Sequence, residues 1–213
     1  MQKTIYLIRH SVKFNPKNID LYNTLDNKQT QTEKKMLSVE GEKRAEILSR
    51  QEEFKNVDAV YSSDYARAMQ TAKYFLHDGL KLNIDRRFNE RTNGDIDKEK
   101  YPNFFCDQYH DKYLKADNGE SQIEVSKRIT EAFYDVVKTD YKKIVIVAHG
   151  TSLTFLLMNW CKLLDVQSNL LRKLEFNGKV IIDRPYNSPE VFKLTLDGDK
   201  VINIEVLEFD ELK

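Results

Sequence analysis

The chain is poor in the residues that interrupt or cross-link a fold. It has seven glycines, four prolines and two cysteines among 213 residues. Cys106 and Cys161 lie far apart and form no Cys-x-x-Cys motif, so no disulfide framework is indicated and a reducing compartment is expected. With no repeat and no Pro/Gly-rich linker, and with 40% hydrophobic residues, we expect a single domain over residues 1–213.

An excess of charge of one sign is also missing. Lysine plus arginine and aspartate plus glutamate each total 34, whereas a nucleic-acid-binding protein usually shows a basic excess. No apolar run approaches the roughly 20 residues of a membrane span. The first strand reaches Arg9 too soon for a signal peptide. We therefore expect a cytoplasmic protein whose partners are neither nucleic acids nor membranes.

Short apolar runs alternate with helical patterns along the chain. Strands are predicted over residues 4–8, 57–61, 80–88 and 143–148, and a hairpin over residues 191–196 and 201–207 with its turn at 197–199. Helices are predicted over residues 37–54 with Ser38 as N-cap, after an N-cap among residues 62–64, over 98–115, after the Ser121 capping box, and from 150 to about 164. This alternation predicts an α/β fold with a largely parallel sheet and helices on both faces.

Polar residues follow several of the predicted strands. His10 and His149 each come directly after an apolar strand, Arg67 lies on the first turn of the helix after the second strand, and Glu90 follows the third. In open α/β sheets the carboxyl ends of parallel strands form the ligand-binding edge. Arg9 also follows an apolar run, where burial without an anionic partner would be costly. Core packing gives no reason for such a gathering, so a functional site is indicated.

These side chains suit a tetrahedral oxyanion, above all phosphate. Arginine binds phosphate oxygens in a bidentate manner, and helix N-termini attract anions. A neutral histidine could attack phosphorus, and a carboxyl group could protonate the leaving oxygen and later deprotonate water. Glu90 and Asp95 are both candidates for that carboxyl group.

Together the motifs resemble those of the histidine phosphatase superfamily, the phosphoglycerate mutase-like family. They occur in the family's order over residues 5 to about 160. The matching segments are Leu7-Ile8-Arg9-His10, Leu37-Ser38-x-Glu40-Gly41, Tyr61-Ser62-Ser63-x-x-x-Arg67-Ala68-x-Gln70-Thr71-Ala72, Asn89-Glu90-Arg91-x-x-Gly94-Asp95, Gly119-Glu120-Ser121 and Val147-Ala148-His149-Gly150.

The resemblance implies a three-layer α/β/α sandwich with a mostly parallel sheet, and an activity that needs no metal or other cofactor. It implies that His10 carries the phosphoryl group, that Arg9, Arg67 and His149 bind its oxygens, and that Glu90 is the acid–base, with Asp95 the lesser candidate. The family usually has glycine where this chain has Ser11, and we expect the serine hydroxyl to lie near the phosphate.

Phosphatases and mutases share this chemistry. Mutases of the family typically carry a longer insertion between the acidic motif and the second histidine, whereas Glu90 and His149 are only 59 positions apart here. A phosphatase of a small phosphorylated substrate is therefore favoured over a mutase. The polar stretch 12–36 and the aromatic segment 98–115 are expected to cover the site. We expect the aromatic segment to form either a helical flap that packs on the core or a pocket for an apolar phosphomonoester.

Two further readings remain open. A metal-dependent hydrolase could use His10, His149, Glu90 and Asp95 as ligands, although adjacent arginines would repel a divalent cation. A non-catalytic module that binds a phosphorylated ligand is the other, suggested only by Ser11. Oligomeric state cannot be read from the chain.

Overall fold

The computed structural model describes residues 2–15, 26–77, 79–168 and 170–212. Its strands are β1 (Gln2–Arg9), β2 (Ala59–Ser62), β3 (Leu82–Ile84), β4 (Lys143–Ala148), β5 (Lys162–Val166), β6 (Arg172–Phe176), β7 (Lys179–Arg184), β8 (Glu190–Asp197) and β9 (Lys200–Leu207). Its α-helices are α1 (Lys28–Lys34), α2 (Val39–Ser49), α3 (Ala66–Ala72), α4 (Phe104–Asp107), α5 (Gln122–Val137) and α6 (Gly150–Leu157). Short 3₁₀ turns lie at Glu52–Phe54, Lys73–Phe75, Arg86–Phe88 and Asp210–Leu212.

The large sheet has six strands in the order β3-β2-β4-β1-β8-β9. β3, β2, β4 and β1 run parallel, with Ile5 opposite Ile144 in the central pair. The predicted hairpin β8–β9 adds two antiparallel strands beside β1. The predicted α/β fold with a mostly parallel sheet is confirmed.

Both faces of this sheet are covered, because consecutive residues of its central strands enter different cores. Ile5 and Ile146 belong to the cluster that α5 and α6 cover, whereas Tyr6 and Val145 belong to the cluster that α2 and α3 cover. A strand buried on both faces carries a continuous apolar run, as β4 does. The result is the expected three-layer α/β/α sandwich.

The second sheet was not predicted. The helix expected to reach residue 164 ends at Leu157, and the chain then forms β5, which pairs antiparallel with β6, as β6 does with β7. Leu174 and Ile182 of this small sheet are buried in the same core as α5 and α6. Tertiary pairing overrides the local helical pattern here, since each paired residue of β6 lies 6 to 13 positions further along the chain.

Three other predicted elements differ in length. The stretch 12–36 contains α1, whose N-cap Asn27 accepts a hydrogen bond from the Thr30 N–H; residues 16–25 lie outside the described residues. The helix predicted over 37–54 ends at Ser49, although its Ser38 N-cap is confirmed. The strand predicted over 80–88 is only β3, because the Asp85 side chain accepts the Arg87 N–H and opens a 3₁₀ turn.

The helix predicted over residues 98–115 was wrong except for the four residues of α4. Asp97 accepts the N–H groups of Glu99 and Lys100, and Asp111 accepts that of Tyr113, so aspartate side chains make turns where a helix was expected. Phe104 and Tyr109 are buried, in agreement with a flap that packs on the core, while Phe105 and Tyr113 are exposed.

The expected capping box is present at Ser121, and the helix that it opens, α5, buries the predicted apolar face. No helix in the described parts of the chain is long and apolar enough to cross a membrane.

Candidate active site

The carboxyl ends of β1, β2 and β4 bring two histidines together. His10 follows β1, and its N–H continues the sheet by donating to the carbonyl of Ala148 at 3.0 Å. His149 follows β4 and is the N-cap of α6. Both side chains are buried, and their ring centroids lie 5.2 Å apart in an edge-on arrangement. The predicted convergence of these strand ends is confirmed.

Arg67 lies between the two imidazole rings. Its Nε donates to His10 Nε2 at 3.0 Å, and its Nη2 donates to His149 Nδ1 at 3.2 Å. The third nitrogen, Nη1, donates to the carbonyl of Thr32 in α1 at 2.7 Å. Because a guanidinium has no acceptor, the histidine nitrogens that face it carry lone pairs.

The outer ring nitrogens therefore carry the protons. His10 Nδ1 donates to the carbonyl of Ser11 at 2.7 Å, and His149 Nε2 donates to Ser63 Oγ at 2.7 Å. Each ring is thus held in one tautomer of the neutral imidazole. For His10 this leaves the lone pair on Nε2, the nitrogen that faces Arg67.

Both histidines are electrostatically disposed to stay neutral. Burial, followed by the positive charges of Arg67 and Arg9, holds the pKa of His10 well below its ordinary value. Burial and then Arg67 do the same to the pKa of His149. A neutral imidazole is the form that can attack an electrophile.

Ser63 has a different hydrogen-bonding role from the one predicted. Residues 62–64 were expected to cap the next helix, but the N-cap of α3 is Tyr65, with no side-chain cap. Ser63 Oγ instead accepts from His149 and from the Tyr65 N–H. The sequence could not separate these roles, because a serine after a strand satisfies the capping pattern whichever partner its hydroxyl takes. Ser63 is a site residue that sequence reasoning missed.

Two buried polar atoms beside His10 have no hydrogen-bond partner among the described residues. They are Arg9 Nε and Ser11 Oγ. Arg9 Nη1 is held by the carbonyls of Tyr186 at 2.6 Å and Asn187 at 3.0 Å. Since buried donors are almost always satisfied, orphaned ones next to two histidines indicate room for an anion.

Ser11 replaces the family's usual glycine without backbone strain. It is not among the described residues with positive φ, and its N–H donates to Thr71 Oγ1 at 3.0 Å. Serine at this position therefore does not need the left-handed backbone conformation that favours glycine.

Glu90 lies at the N-terminus of α6. Its Oε1 accepts the N–H groups of Arg91 and Ser152, each at 2.9 Å, and its Oε2 accepts that of Thr151 at 3.2 Å. A cavity of about 590 Å³ is lined by Glu90 and by residues of α1. Glu90 therefore contacts the helix that follows His149 and also lines an open cavity.

Arg128 fixes the segment that carries Glu90. It donates to the carbonyls of Asn89 and Glu90, and its Nε forms an ion pair with Glu120 Oε1 at 2.7 Å. This explains Glu120 of the Gly-Glu-Ser motif as a positioning residue. Arg128 itself lies on α5 outside every motif, so no local signal could have found it.

Asp95 is placed away from the histidines. Its side chain is 61% exposed, accepts from Asn118 at 3.0 Å and lies 3.9 Å from Lys28 Nζ. It lines the same cavity as Glu90, but at the rim formed by α1 and Asn118.

The side chains around His10 and His149 do not suit a divalent cation. In the described ranges, no group of three or more histidine, cysteine, aspartate or glutamate residues could hold a metal ion. The lone pairs of His10 and His149 face Arg67, whose positive charge would repel a metal.

A mostly parallel α/β/α sandwich with a guanidinium between two buried histidines at the strand ends is an arrangement suited to an oxyanion. The chain belongs to the histidine phosphatase superfamily, whose branch 1 matches residues 5–182. The resemblance read from the motifs is thereby confirmed.

Individual relatives carry phosphatase names. Over 163 residues the chain is 29% identical to "Putative phosphoserine phosphatase 2" of Hydrogenobacter thermophilus, which covers 71% of this chain and 75% of that protein. The structure of Bacillus stearothermophilus YhfR is similar with a TM-score of 0.69 at 19% identity, covering 99% of both chains. That of a mycobacterial glucosyl-3-phosphoglycerate phosphatase has a TM-score of 0.66 at 18% identity, covering 97% of both.

Proposed function

We propose that the protein is a metal-independent phosphomonoesterase that works through a phosphohistidine on His10, with Glu90 as general acid and base. The observation that carries the proposal is the neutral His10, with Nδ1 donating to Ser11 and the Nε2 lone pair facing Arg67. An imidazole in this tautomer is a ready nucleophile without a metal or a separate base.

In the first step, His10 Nε2 attacks phosphorus and the bond from phosphorus to the ester oxygen breaks. The electron pair goes to the ester oxygen, which takes a proton from the Glu90 carboxyl group. Arg9 and Arg67 stabilise the charge on the three other oxygens, with His149 contacting one of them. Arg67 Nε, which contacts Nε2 in the free protein, turns to phosphate and frees the lone pair.

In the second step, water attacks phosphorus and gives a proton to the Glu90 carboxylate. The phosphorus–nitrogen bond breaks, its electron pair returns to His10 Nε2, and phosphate leaves. Glu90 Oε1 accepts two N–H groups and Oε2 only a longer one, so Oε2 is the oxygen that carries the proton. The backbone contacts hold the carboxyl group in place through both steps.

The deciding experiment measures phosphate release from p-nitrophenyl phosphate and a panel of small phosphomonoesters in EDTA between pH 5 and 8. We expect release in EDTA by the wild type and none by His10→Ala, because in the proposed mechanism His10 carries the phosphoryl group. Trapping ³²P on the protein in acid-labile, base-stable form would identify phosphohistidine. The control is His77→Ala, an exposed histidine.

Four outcomes would contradict the proposal. Unchanged release by folded His10→Ala would exclude His10 as the nucleophile. Release that needs added metal would favour the metal-dependent reading, and phosphate binding without turnover would favour the binding module. Conversion of 3-phosphoglycerate to 2-phosphoglycerate without release would indicate a mutase.

A further inference from the structure

Arg172, the first residue of β6, is a buried arginine that the proposed reaction does not use. The side chain is only 5% exposed. Its Nε donates to the Tyr109 hydroxyl at 2.9 Å and its Nη1 to the carbonyl of Leu170 at 3.3 Å. The guanidinium carbon packs on the rings of Tyr109 and Tyr186, at 5.4 and 4.7 Å from their centroids.

This guanidinium lacks the anionic partner that buried charges usually have. Two of its five N–H groups have acceptors, and in the part of the chain that the structure describes no carboxylate lies within 4.0 Å of it. By contrast, Arg128 pairs with Glu120 at 2.7 Å, and three acceptors surround Arg91. A buried charge without a partner is costly, so the unmet donors of Arg172 indicate a ligand.

The position of Arg172 places that ligand group next to the reaction. Its partner Tyr109 lies near Thr151, whose backbone N–H donates to Glu90 at 3.2 Å. Its other partner, Tyr186, accepts from Arg9 through its carbonyl. Two residues, Tyr109 and Thr151, therefore separate Arg172 from the acid–base, and one residue, Tyr186, separates it from a phosphate-binding arginine.

We infer that Arg172 binds a carboxylate on the leaving group, so that the substrates are phosphomonoesters of small carboxylic acids. The inference rests on the proposed function and names its substrate class. Arg9 and Arg67 already serve the phosphoryl group, and a planar guanidinium with unmet donors matches the two oxygens of a carboxylate. Arg172 also offsets the repulsion between that carboxylate and Glu90.

The test uses two pairs of substrates whose members differ in one carboxylate. They are O-phosphoserine against O-phosphoethanolamine, and 3-phosphoglycerate against glycerol 3-phosphate. We expect wild-type kcat/KM to favour the carboxylate of each pair. Arg172→Met should lower kcat/KM for the carboxylates by about 10- to 100-fold, the value of charged hydrogen bonds, and for their partners by less than about 3-fold.

Two control variants remove a nearby positive charge. Lys173 is the next residue of β6, faces the other side and pairs with Asp183 at 2.8 Å, so Lys173→Met should leave both ratios unchanged. Lys13 lies in the electrostatic field of Arg9, Arg67 and Glu90. A carboxylate preference lost in Lys13→Met but kept in Arg172→Met would overturn the inference in favour of Lys13.

Other outcomes separate the inference from the proposed function. Equal handling of both members of each pair, with hydrolysis of p-nitrophenyl phosphate intact, would overturn the inference alone. If nothing is hydrolysed, the proposed function fails, and calorimetric binding of the four compounds decides the inference: tighter binding of the carboxylates, lost in Arg172→Met, supports it, and equal binding overturns it.

Arg172 also packs against two tyrosines, so Arg172→Met could lose its cooperative melting transition. In that case Arg172→Lys replaces it, because lysine keeps the charge but not the planar pair of donors. The carboxylate preference should then fall several-fold, and an unchanged preference would overturn the inference.

Discussion

The carboxyl edge of the large sheet and the small sheet β5–β7 contribute to one site in different ways. At the edge, functional residues are neighbours in sequence: Arg9 precedes His10, and His149 precedes the helix that binds Glu90. The small sheet and the turn after it contribute Arg172 and Tyr186, which belong to no motif. Their link to the edge is a contact across 177 positions, from Arg9 to the Tyr186 carbonyl. The residues proposed to carry out the reaction thus lie in local sequence motifs, whereas those proposed to surround the leaving group are brought to the site by tertiary packing.

The largest effect is expected from a substitution at the carboxyl edge of the large sheet, at Glu90. Glu90→Gln keeps the shape of the side chain but cannot donate or accept the proton. We expect kcat on alkyl phosphates to fall about 10²- to 10³-fold, within the range of acid–base catalysis. The decrease should be much smaller on p-nitrophenyl phosphate, whose leaving group needs no proton, and it should not depend on a carboxylate in the substrate.

Asp95→Asn is the matched control, because Asp95 lines the same cavity but is exposed. We expect its rates to stay within about 3-fold of wild type, a surface-sized effect. Leaving-group dependence in Asp95→Asn rather than Glu90→Gln would reassign the acid. Equal slowing of both substrates by Glu90→Gln would mean that the residue only positions α6.

The same contrast decides what could be predicted from the sequence. β4 was predictable because its residues are apolar on both faces, and His10 and His149 because they follow such strands. The roles of Ser63 and Arg128 could not be predicted, since a serine after a strand has several possible partners and Arg128 reads as a solvated helical residue. β5 was missed because its pairing with β6 is not visible in its own five residues.

The aromatic segment 98–115 shows the same limit. Its composition predicted a helix, but the turns at Asp97 and Asp111 depend on side chains that accept neighbouring N–H groups. Arg91 then holds the segment, through Gln108 and the carbonyl of Leu114. Propensity alone cannot anticipate a buried arginine that organises a loop.

The second difference between the regions is the free energy needed to keep two buried histidines neutral at the carboxyl edge. This difference predicts how stability depends on pH. The folded protein keeps the pKa values of His10 and His149 well below the value of about 6.5 expected when unfolded. Below about pH 6.5 the unfolded chain therefore binds more protons, so stability rises with pH up to there and levels off above it. Each histidine should contribute up to about 1.4 kcal/mol per pH unit.

Urea unfolding at pH 7.5, 6.5 and 5.5 measures this slope. His149→Gln should reduce the loss between pH 6.5 and 5.5 by about 1 kcal/mol, whereas His110→Gln, at an exposed position, should not change it. An unchanged slope in His149→Gln would mean that the loss of stability at low pH comes from other groups, and not from the histidines at the carboxyl edge.

The smallest effect compares one hydroxyl from each region. Ser11 Oγ at the edge is buried without a partner among the described residues, whereas the Tyr186 hydroxyl after the small sheet accepts from Thr154 Oγ1 at 3.0 Å. Removing an unsatisfied polar atom relieves a desolvation cost, and removing a satisfied one loses a hydrogen bond. Ser11→Ala should therefore raise the free energy of unfolding by about 1 kcal/mol, and Tyr186→Phe should lower it by about as much.

Phosphate binding should respond in the other direction. If Ser11 is kept for the oxyanion, Ser11→Ala weakens inhibition by inorganic phosphate about 3- to 10-fold, as for one lost hydrogen bond, while Tyr186→Phe leaves it unchanged because the Tyr186 carbonyl that holds Arg9 remains. Stability loss in Ser11→Ala, or equal phosphate inhibition in both variants, would show that the serine hydroxyl serves packing. A gain in stability paired with weaker phosphate binding would show that the edge gives up folding free energy to bind its ligand, which the small sheet does not do at Tyr186.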